Sequence, residues 1–277
     1  MTARAPLAYT VDRPEDPAAR ERPPAVLLHG FARNAWFWRD WVPTITAQRP
    51  LIRIDLRGCG ASPDPGPEHR FTTAELVADV LATLTTVAPG GVHLAGESAG
   101  GMIAAYLAAE HPEVVHSAGL ISTPVRPAGA DVNVKGAGFG STEEALAELG
   151  LRGWWLRSRE LGGELTGDRA RDEELADQLA RTPMHVALAL WDWIHDASHD
   201  LHALAPIVRV PVLVMAPGTS HGTNAAQQDR LVELLPDARM VRYADLNHEM
   251  YYLHPERLAA DYAEFVAAVD AGALASA

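Results

Sequence analysis

The sequence predicts an α/β protein with a mainly parallel, twisted sheet that carries helices on both faces. Short apolar runs, typical of buried parallel strands, alternate along the chain with stretches of helical spacing, and this alternation indicates βαβ units. Residues 124–205 break the alternation, because they contain helical patterns joined by glycines and no clear buried strand. We therefore expect a core of residues 1–123 and 206–277, with residues 124–205 inserted as a helical cap after a core strand.

Each predicted strand is a short apolar or β-rich run that ends at a turn. The predicted strands are residues 7–11 at an edge, 25–28, 51–56, 92–95, 114–121, 212–215 and 240–243. The predicted helices are residues 72–87, 99–110, 143–156, 171–180, 184–194, 225–235 and 255–269. Thr72 or Thr73 is the expected N-cap of the first helix, because a threonine hydroxyl can accept a hydrogen bond from a free N–H group of the first turn.

Composition and charge restrict the class of function. The chain has 277 residues, of which 48% are hydrophobic and 21% are charged, which is enough for a sizeable core. The net charge of −13 repels phosphate backbones and anionic lipids, so neither nucleic acid nor a membrane surface is an expected partner. Cys59 is the only cysteine, which excludes an internal disulfide.

The N-terminal residues form a Pro- and charge-rich stretch where a signal peptide would need an apolar core. No apolar run along the chain is long enough to span a bilayer. The sequence therefore predicts a soluble, cytoplasmic protein whose partner is a small-molecule substrate. No metal or other cofactor is expected, and a homo-oligomer is left open.

The pentapeptide Gly96-Glu97-Ser98-Ala99-Gly100 is the strongest chemical signal in the sequence. It follows a predicted strand and opens a predicted helix, which is the context in which Gly-x-Ser-x-Gly presents a nucleophile. The flanking glycines remove side chains that would clash in so sharp a turn, and the helix dipole favours negative charge near the serine. The alternative is a plain strand–helix turn that contains a serine. We predict that Ser98 is the nucleophile.

Two further positions fit a nucleophilic serine. The segment His29-Gly30-Phe31 follows the strand at 25–28, and its turn can direct the Phe31 N–H at a substrate oxygen. Together with the Ala99 N–H it would make an oxyanion hole of two donors. His248 follows the last strand and can take the serine proton, because histidine titrates in the required range. The chain has 12 histidines, and it is position that singles out His248.

These motifs, in this order, resemble the α/β-hydrolase superfamily. The match comprises His29-Gly30-Phe31, Asp55-x-Arg57-Gly58-x-Gly60-x-Ser62, Gly96-x-Ser98-x-Gly100 and the late His248. It extends over about residues 25–123 and 205–270. The resemblance implies the α/β-hydrolase fold, Ser98 as nucleophile, His248 as general base, and the Phe31 and Ala99 N–H groups as the oxyanion hole. It does not imply a particular substrate.

The acid of a Ser–His–acid triad is missing where this superfamily usually has it. The loop after the strand at 212–215 reads Gly218-Thr219-Ser220-His221, with His221 at the expected carboxylate position. His221 is therefore either a second active-site group or a polar loop residue. The other usual place, after the strand at 114–121, reads Ser122-Thr123-Pro124 and also lacks a carboxylate. Asp131 could contact His248 only if its loop folds back. Three aspartates near the cap exit are further candidates: Asp192, Asp196 and Asp200.

Glu97 is a candidate for part of the missing charge. It precedes the nucleophile as in the Gly-Glu-Ser-Ala-Gly of cholinesterase-like carboxylesterases, where that glutamate lies close to the catalytic histidine. A glutamate that only bonds the nearby backbone is the other interpretation. A Ser98–His248 dyad is the remaining option, and it would be slow or compensated, because loss of the acid can cost about 10⁴ in kcat.

Aromatic side chains in the predicted cap indicate the substrate. Trp154, Trp155 and Trp191, with His221 and Tyr251, are the predicted pocket residues, since cap and core meet over Ser98. Most large apolar groups of the cap should simply pack it against the core. An aromatic pocket suits an apolar or aromatic small molecule, and the acidic net charge argues mildly against a strongly anionic one.

The first functional hypothesis is a serine hydrolase, of carboxylesterase or lactonase type, that cleaves an ester or lactone through an acyl-enzyme on Ser98. The tail His248-x-x-Tyr251-x-x-His254-Pro255-Glu256 is similar to that of zearalenone lactonases. A second hypothesis is a lyase, cyclase or cofactor-free oxygenase that uses His248 as base, which the missing acid favours. A third is a non-catalytic receptor for a small ligand, against which the presence of both Ser98 and His248 argues.

Overall fold

The computed structural model describes residues 5–127 and 132–273, which are built around a seven-stranded sheet. Its strands are β1 (Tyr9–Asp12), β2 (Ala25–Leu28), β3 (Leu51–Ile54), β4 (Val92–Glu97), β5 (Val115–Ile121), β6 (Val212–Pro217) and β7 (Ala238–Tyr243). Their order across the sheet is β1-β3-β2-β4-β5-β6-β7. All neighbours pair in parallel except β1, which is antiparallel to β3 at the edge. The predicted α/β fold with a mainly parallel sheet is confirmed.

Helices connect these strands and cover the sheet. The α-helices of the described residues are α1 (Pro17–Arg20), α2 (Val42–Thr46), α3 (Thr73–Val87), α4 (Ala99–Glu110), α5 (Val132–Lys135), α6 (Thr142–Gly162), α7 (Arg169–Leu179), α8 (Met184–Ile194), α9 (Leu201–Leu204), α10 (Ala225–Leu234), α11 (Met250–Leu253) and α12 (Pro255–Asp270). Two 3₁₀ helices span Ala35–Trp41 and Ala205–Ile207. The Thr72 hydroxyl accepts a hydrogen bond from the Glu75 N–H at 3.2 Å, so the predicted N-cap of α3 is confirmed.

The apolar core lies on both faces of the sheet. Buried side chains of α3, α4 and α10 pack on one face, and those of α2, α12 and the 3₁₀ helix at 35–41 pack on the other. Strands β2, β4 and β6 are buried along their whole length, which explains why β2 and β6 are continuously apolar and do not alternate, while β4 also carries the buried His93 and Glu97. Helix α4 lies very close to β2, since a Cβ on Gly100 would lie 2.5 Å from the Leu28 carbonyl oxygen.

The sequence prediction misses several short elements. Helices α2, α9 and α11 and the 3₁₀ helix at 35–41 were not predicted, because four to seven residues are too few to set a helical period. Between β5 and β6 the described residues form helices α5 to α9 and contain no strand. The division at residues 124 and 205 into core and cap stays a prediction.

No helix of the described residues combines the length and apolarity that crossing a bilayer requires. The cytoplasmic location and the oligomeric state stay predictions.

Candidate active site

The turn between β4 and α4 holds Ser98 in a strained backbone conformation. Ser98 has φ 50° and ψ −115°, a backbone conformation that residues other than glycine rarely adopt. The turn can close only because the residues beside Ser98 in the motif are small: a Cβ on Gly96 would lie 2.2 Å from the backbone of Gly100. The Ser98 N–H is fixed by the Ile121 carbonyl at 2.9 Å. The side chain thus stands at the N-terminus of α4 and lines a cavity.

The two predicted oxyanion donors flank this position. Ala99 is the first residue of α4, so its N–H has no partner within the helix. Phe31 follows β2 at the next strand end, and among the described residues its N–H makes no hydrogen bond. Between them Gly30 admits the Glu97 side chain, since a Cβ there would lie 2.1 Å from Glu97 Oε2. The arrangement is compatible with a two-donor oxyanion hole, whose role stays a prediction.

His248 lies in the loop between β7 and α11 and lines the same cavity. Its Nδ1 is 3.0 Å from the Ser220 hydroxyl oxygen. That oxygen also accepts hydrogen bonds from the Gly222 N–H at 3.0 Å and the Thr223 N–H at 2.9 Å. A hydroxyl oxygen has two lone pairs, and here both are occupied, so the Ser220 O–H donates to His248 Nδ1. Neutral His248 is therefore held with its proton on Nε2.

The structure corrects the expectation for this loop. The sequence pattern placed His221 at the position of the missing carboxylate, but it is Ser220 that contacts His248, while His221 lines the cavity. The reason is local: the Ser220 side chain bonds the N–H groups two and three residues ahead and so folds the loop onto the imidazole. A serine in the loop that should carry the acid was the available signal.

The other predicted sources of an acid do not reach the imidazole. The Ser122 hydroxyl donates to the His248 carbonyl at 2.8 Å. This hydrogen bond fixes the backbone at His248 and does not involve the imidazole ring. Asp200 pairs with Arg126, and Asp196 bonds the Ser198 N–H at 2.7 Å, while Asp192 is solvent-exposed. Asp131 lies outside the described residues.

Glu97 does come close to His248, but at the other ring nitrogen. Its Oε1 lies 3.4 Å from His248 Nε2, and its Oε2 accepts a hydrogen bond from Arg33. Burial raises the pKa of Glu97, but Arg33 and then His248 outweigh burial and leave this pKa below its ordinary value. The charged carboxylate therefore faces the nitrogen that would take the Ser98 proton. A triad acid would contact Nδ1 instead.

Glu97 belongs to a buried ionic network that the sequence did not indicate. Arg33 bonds both Glu97 and Glu249, Glu249 also pairs with Arg159, and Arg159 bonds Glu164 at 2.9 Å. All five side chains are nearly inaccessible to solvent. Glu249 follows His248 directly, so the network holds both sides of the candidate catalytic pair in place. Partners as far apart in sequence as Arg33 and Glu249 leave no local pattern.

The cavity has about 720 Å³ of empty space, its open mouth included. Its apolar wall is formed by Phe31, Pro124, Pro127, Trp154, Leu179, Trp191 and Ile194. Its polar and charged wall is formed by Arg33, Glu97, Ser98, Lys135, Arg159, His195, His221, His248 and Glu249. The Phe31 ring stands edge-on to Trp154 at 5.6 Å and to Trp191 at 5.4 Å. The aromatic part of the wall is therefore Phe31, Trp154 and Trp191, and more of the lining residues are polar or charged than apolar.

Three of the five predicted pocket residues line this cavity: Trp154, Trp191 and His221. The prediction is wrong for Trp155 and Tyr251. Successive side chains on a helix point about 100° apart, so Trp155 points away from its neighbour into the core. Tyr251 is fully buried, with its ring 4.7 Å from Trp38, and it supports the Arg33 guanidinium from behind.

Substitution of Gly222 with alanine should impair His248 without unfolding the protein. A Cβ at this position would lie 3.0 Å from His248 Cε1, so the imidazole or the loop has to shift. We expect kcat/KM for an ester substrate to fall about 10-fold, because small misplacements of a catalytic group are costly. Gly90→Ala is the matched control, since a Cβ there meets nothing within 4 Å. Equal rates for the two variants would show that the loop absorbs the added methyl group.

Comparison with known proteins agrees with this geometry. The sequence matches the alpha/beta hydrolase fold family over residues 23–255, and the chain belongs to that family. The pimeloyl-[acyl-carrier protein] methyl ester esterase of Neisseria meningitidis is 28% identical over 254 residues, 88% of this chain and 93% of that protein. The enzyme of the same name from Aeromonas hydrophila is 39% identical over 95 residues, 34% of this chain and 35% of that protein.

Solved structures of low sequence identity share the fold. The enol-lactonase from Burkholderia xenovorans LB400 superposes with a TM-score of 0.73 at 22% identity, over 94% of this chain and 96% of that chain. The esterase RhEst1 from Rhodococcus sp. ECU1013 superposes equally well, with a TM-score of 0.73 at 24% identity, over 94% of each chain.

Proposed function

We propose that this chain is an ester hydrolase that cleaves a carboxylic ester or lactone through an acyl-enzyme on Ser98. The observation that carries the proposal is the strained Ser98 at the N-terminus of α4, which lines one cavity together with His248 and Phe31. The names of the relatives, methyl ester esterase and enol-lactonase, support ester-acting hydrolysis. The apolar wall of Phe31, Trp154 and Trp191 suits the carbon skeleton of a small ester.

The proposed reaction has two steps. Ser98 Oγ attacks the ester carbonyl while His248 Nε2 takes its proton, and the Phe31 and Ala99 N–H groups hold the resulting oxyanion. The proton then passes from His248 to the leaving alkoxide, and the acyl group remains on Ser98. Water then attacks the acyl carbonyl while His248 Nε2 takes one of its protons. The bond between the acyl carbon and Ser98 Oγ breaks as His248 returns that proton to Oγ, and the carboxylic acid leaves.

The Ser220 contact makes this hydrolase slow. To act as a base, His248 must carry its resting proton on Nδ1, so the Ser220 hydroxyl has to turn from donor to acceptor and release one N–H bond. Losing one such bond costs about 1 kcal/mol, so the productive tautomer is accessible. Within the described part of the chain, the carboxylate that lies within 4.0 Å of the imidazolium is that of Glu97, at 3.4 Å from Nε2. A neutral hydroxyl on Nδ1 stabilises it less than a carboxylate would.

The experiment is covalent labelling with a fluorophosphonate, followed by intact mass and peptide mapping. Folded wild type should gain one adduct, on Ser98, and lose turnover of a p-nitrophenyl ester. Ser98→Ala should show neither adduct nor turnover above background. Ser198→Ala, at a solvent-exposed serine, is the matched control and should behave as wild type. An adduct that persists in Ser98→Ala, or its absence from wild type, would contradict the proposal.

A second candidate is a non-hydrolytic reaction, of lyase, cyclase or cofactor-free oxygenase type, that uses His248 alone. The observation in its favour is the hydroxyl of Ser220 where a triad has its carboxylate. In that case conversion of the substrate would depend on His248 and survive Ser98→Ala. Ligand binding without any turnover would instead indicate a receptor.

A further inference from the structure

Lys135 is the only lysine of the chain. It ends α5, lines the cavity and is 8% exposed. The Trp154 indole N–H donates to the Lys135 carbonyl at 2.7 Å, which ties its backbone to the aromatic wall. Within residues 5–127 and 132–273 its ammonium makes no hydrogen bond, and no carboxylate oxygen lies within 4.0 Å of it. A buried cation without a partner is costly, so this side chain lacks a counter-ion.

The nearby carboxylates are already committed to other cations. Glu249 is bridged by Arg33 and Arg159, and Glu164 bonds Arg159. Burial, and then the like charge of Arg159, lower the pKa of Lys135 to about 8, so the ammonium stays charged at neutral pH. Among the described residues, Lys135 is therefore the cation of this cluster that no carboxylate contacts directly.

The charge of the cavity wall favours an anionic ligand. Its cations are Arg33, Lys135 and Arg159, and its carboxylates are Glu97 and Glu249. Glu164 pairs with Arg159, so the carboxylates of this cluster equal the three cations in number, and the attraction for an anion comes from the Lys135 ammonium alone. This ammonium sits in a low-dielectric space, where it acts more strongly than the diffuse surface charge of −13. The two arginines are saturated by carboxylates, so only the Lys135 ammonium is free to bind. One ammonium matches one carboxylate, whereas a phosphate dianion would require further donors.

We propose that Lys135 binds a carboxylate of the substrate, so that the substrate is a carboxylate-bearing ester such as the half-ester of a dicarboxylic acid. This inference rests on the proposed function of the Ser98 site, which would cleave the ester at the other end. The carbon chain between the two groups would lie along Phe31, Trp154 and Trp191. The acidic net charge argues mildly against an anionic substrate, whereas the Lys135 ammonium in the cavity wall favours one at this position.

The kinetic test compares monomethyl and dimethyl esters of straight-chain dicarboxylic acids from succinate to suberate. Wild type should prefer the half-ester of the fitting length by about 10-fold or more in kcat/KM, the magnitude of one charge-assisted hydrogen bond. Lys135→Gln should bring the ratio of kcat/KM for the half-ester to that for the dimethyl ester of the same length to about 1. Lys135→Arg, which keeps the charge, should retain part of the preference. Equal losses on both esters would overturn the proposal.

A binding test separates this proposal from hydrolysis. Titration of Ser98→Ala with the monomethyl esters, followed by calorimetry, requires no turnover. The single lysine also allows one side-chain resonance to be followed after ¹⁵N-lysine labelling. We expect binding that shifts this resonance and that is lost in Ser98→Ala/Lys135→Gln. Binding with these properties, but no turnover by wild type, would refute only the hydrolase function. Turnover without charge preference, or binding that Lys135→Gln leaves intact, would refute the carboxylate site.

Discussion

Ser220→Asp is expected to raise kcat/KM for ester hydrolysis by about 10²-fold or more. An aspartate at this position would accept the Gly222 and Thr223 N–H bonds that Ser220 now accepts, and in addition a hydrogen bond from His248 Nδ1–H. The proton of neutral His248 would then reside on Nδ1, and Nε2 would be free to take the Ser98 proton. The expected gain in kcat/KM is smaller than the factor of about 10⁴ in kcat that an intact triad loses with its acid, because Glu97 already stabilises part of the imidazolium charge.

The matched controls are Ser220→Asn and Ser220→Ala. The asparagine side chain has the shape of aspartate without its charge, so it should not reproduce the gain. The alanine variant lacks both the hydroxyl that holds the proton on Nε2 and a carboxylate for Nδ1–H, so it too should not reproduce the gain. The measurement is the kcat/KM of each variant on one p-nitrophenyl ester, with Ser98→Ala/Ser220→Asp as the inactive background. A Ser220→Asp enzyme no faster than Ser220→Asn would show that orientation of His248 does not limit the rate.

Arg33→Met is expected to destabilise the protein by about 3–5 kcal/mol at neutral pH. Arg33 is buried and joins the carboxylates of Glu97 and Glu249, so its removal leaves Glu97, among the described residues, without an arginine or lysine within 4.0 Å. An uncompensated buried carboxylate is far more costly than a missing surface pair. The measurement is the free energy of unfolding in urea. Arg239→Met removes an exposed pair with Glu264 and should cost less than about 1 kcal/mol.

The pH dependence of this loss has a definite sign. In wild type the pKa values of Glu97 and Glu249 lie below their ordinary values, because the arginines outweigh burial. Their contribution to stability is therefore complete above the pKa of an unfolded glutamate and is lost as pH falls towards the folded values. Without Arg33 the pKa of Glu97 should rise, and protonation then stabilises the fold. The gap between the two proteins should narrow from pH 7 to pH 4.5; a constant gap would contradict the assigned cause.

Some features of the candidate site depend on residues that are neighbours in the sequence, and others depend on residues that only the fold brings together. The Ser98 turn and the N-cap of α3 depend on residues within a few positions, so their patterns are visible in the sequence. His248 could be singled out by its place after the last strand. Its partner Ser220 could not, because the family pattern pointed to His221 and only the folding of the loop decides which side chain meets the imidazole.

The sequence by itself determined the α/β fold, the helical stretch after β5, the strained Ser98 turn, the late His248 and the absence of a carboxylate from both usual acid positions. These features depend on hydrophobic periodicity, glycine placement and short motifs, which act over a few residues. Only the tertiary structure decided that Glu97 faces Nε2 of His248, that Ser220 holds Nδ1, and that Lys135 lines the cavity with no carboxylate in contact among the described residues. The two contacts to His248 join residues 151 and 28 positions apart, and their energies depend on burial and on neighbouring charges that exist only after the chain has folded.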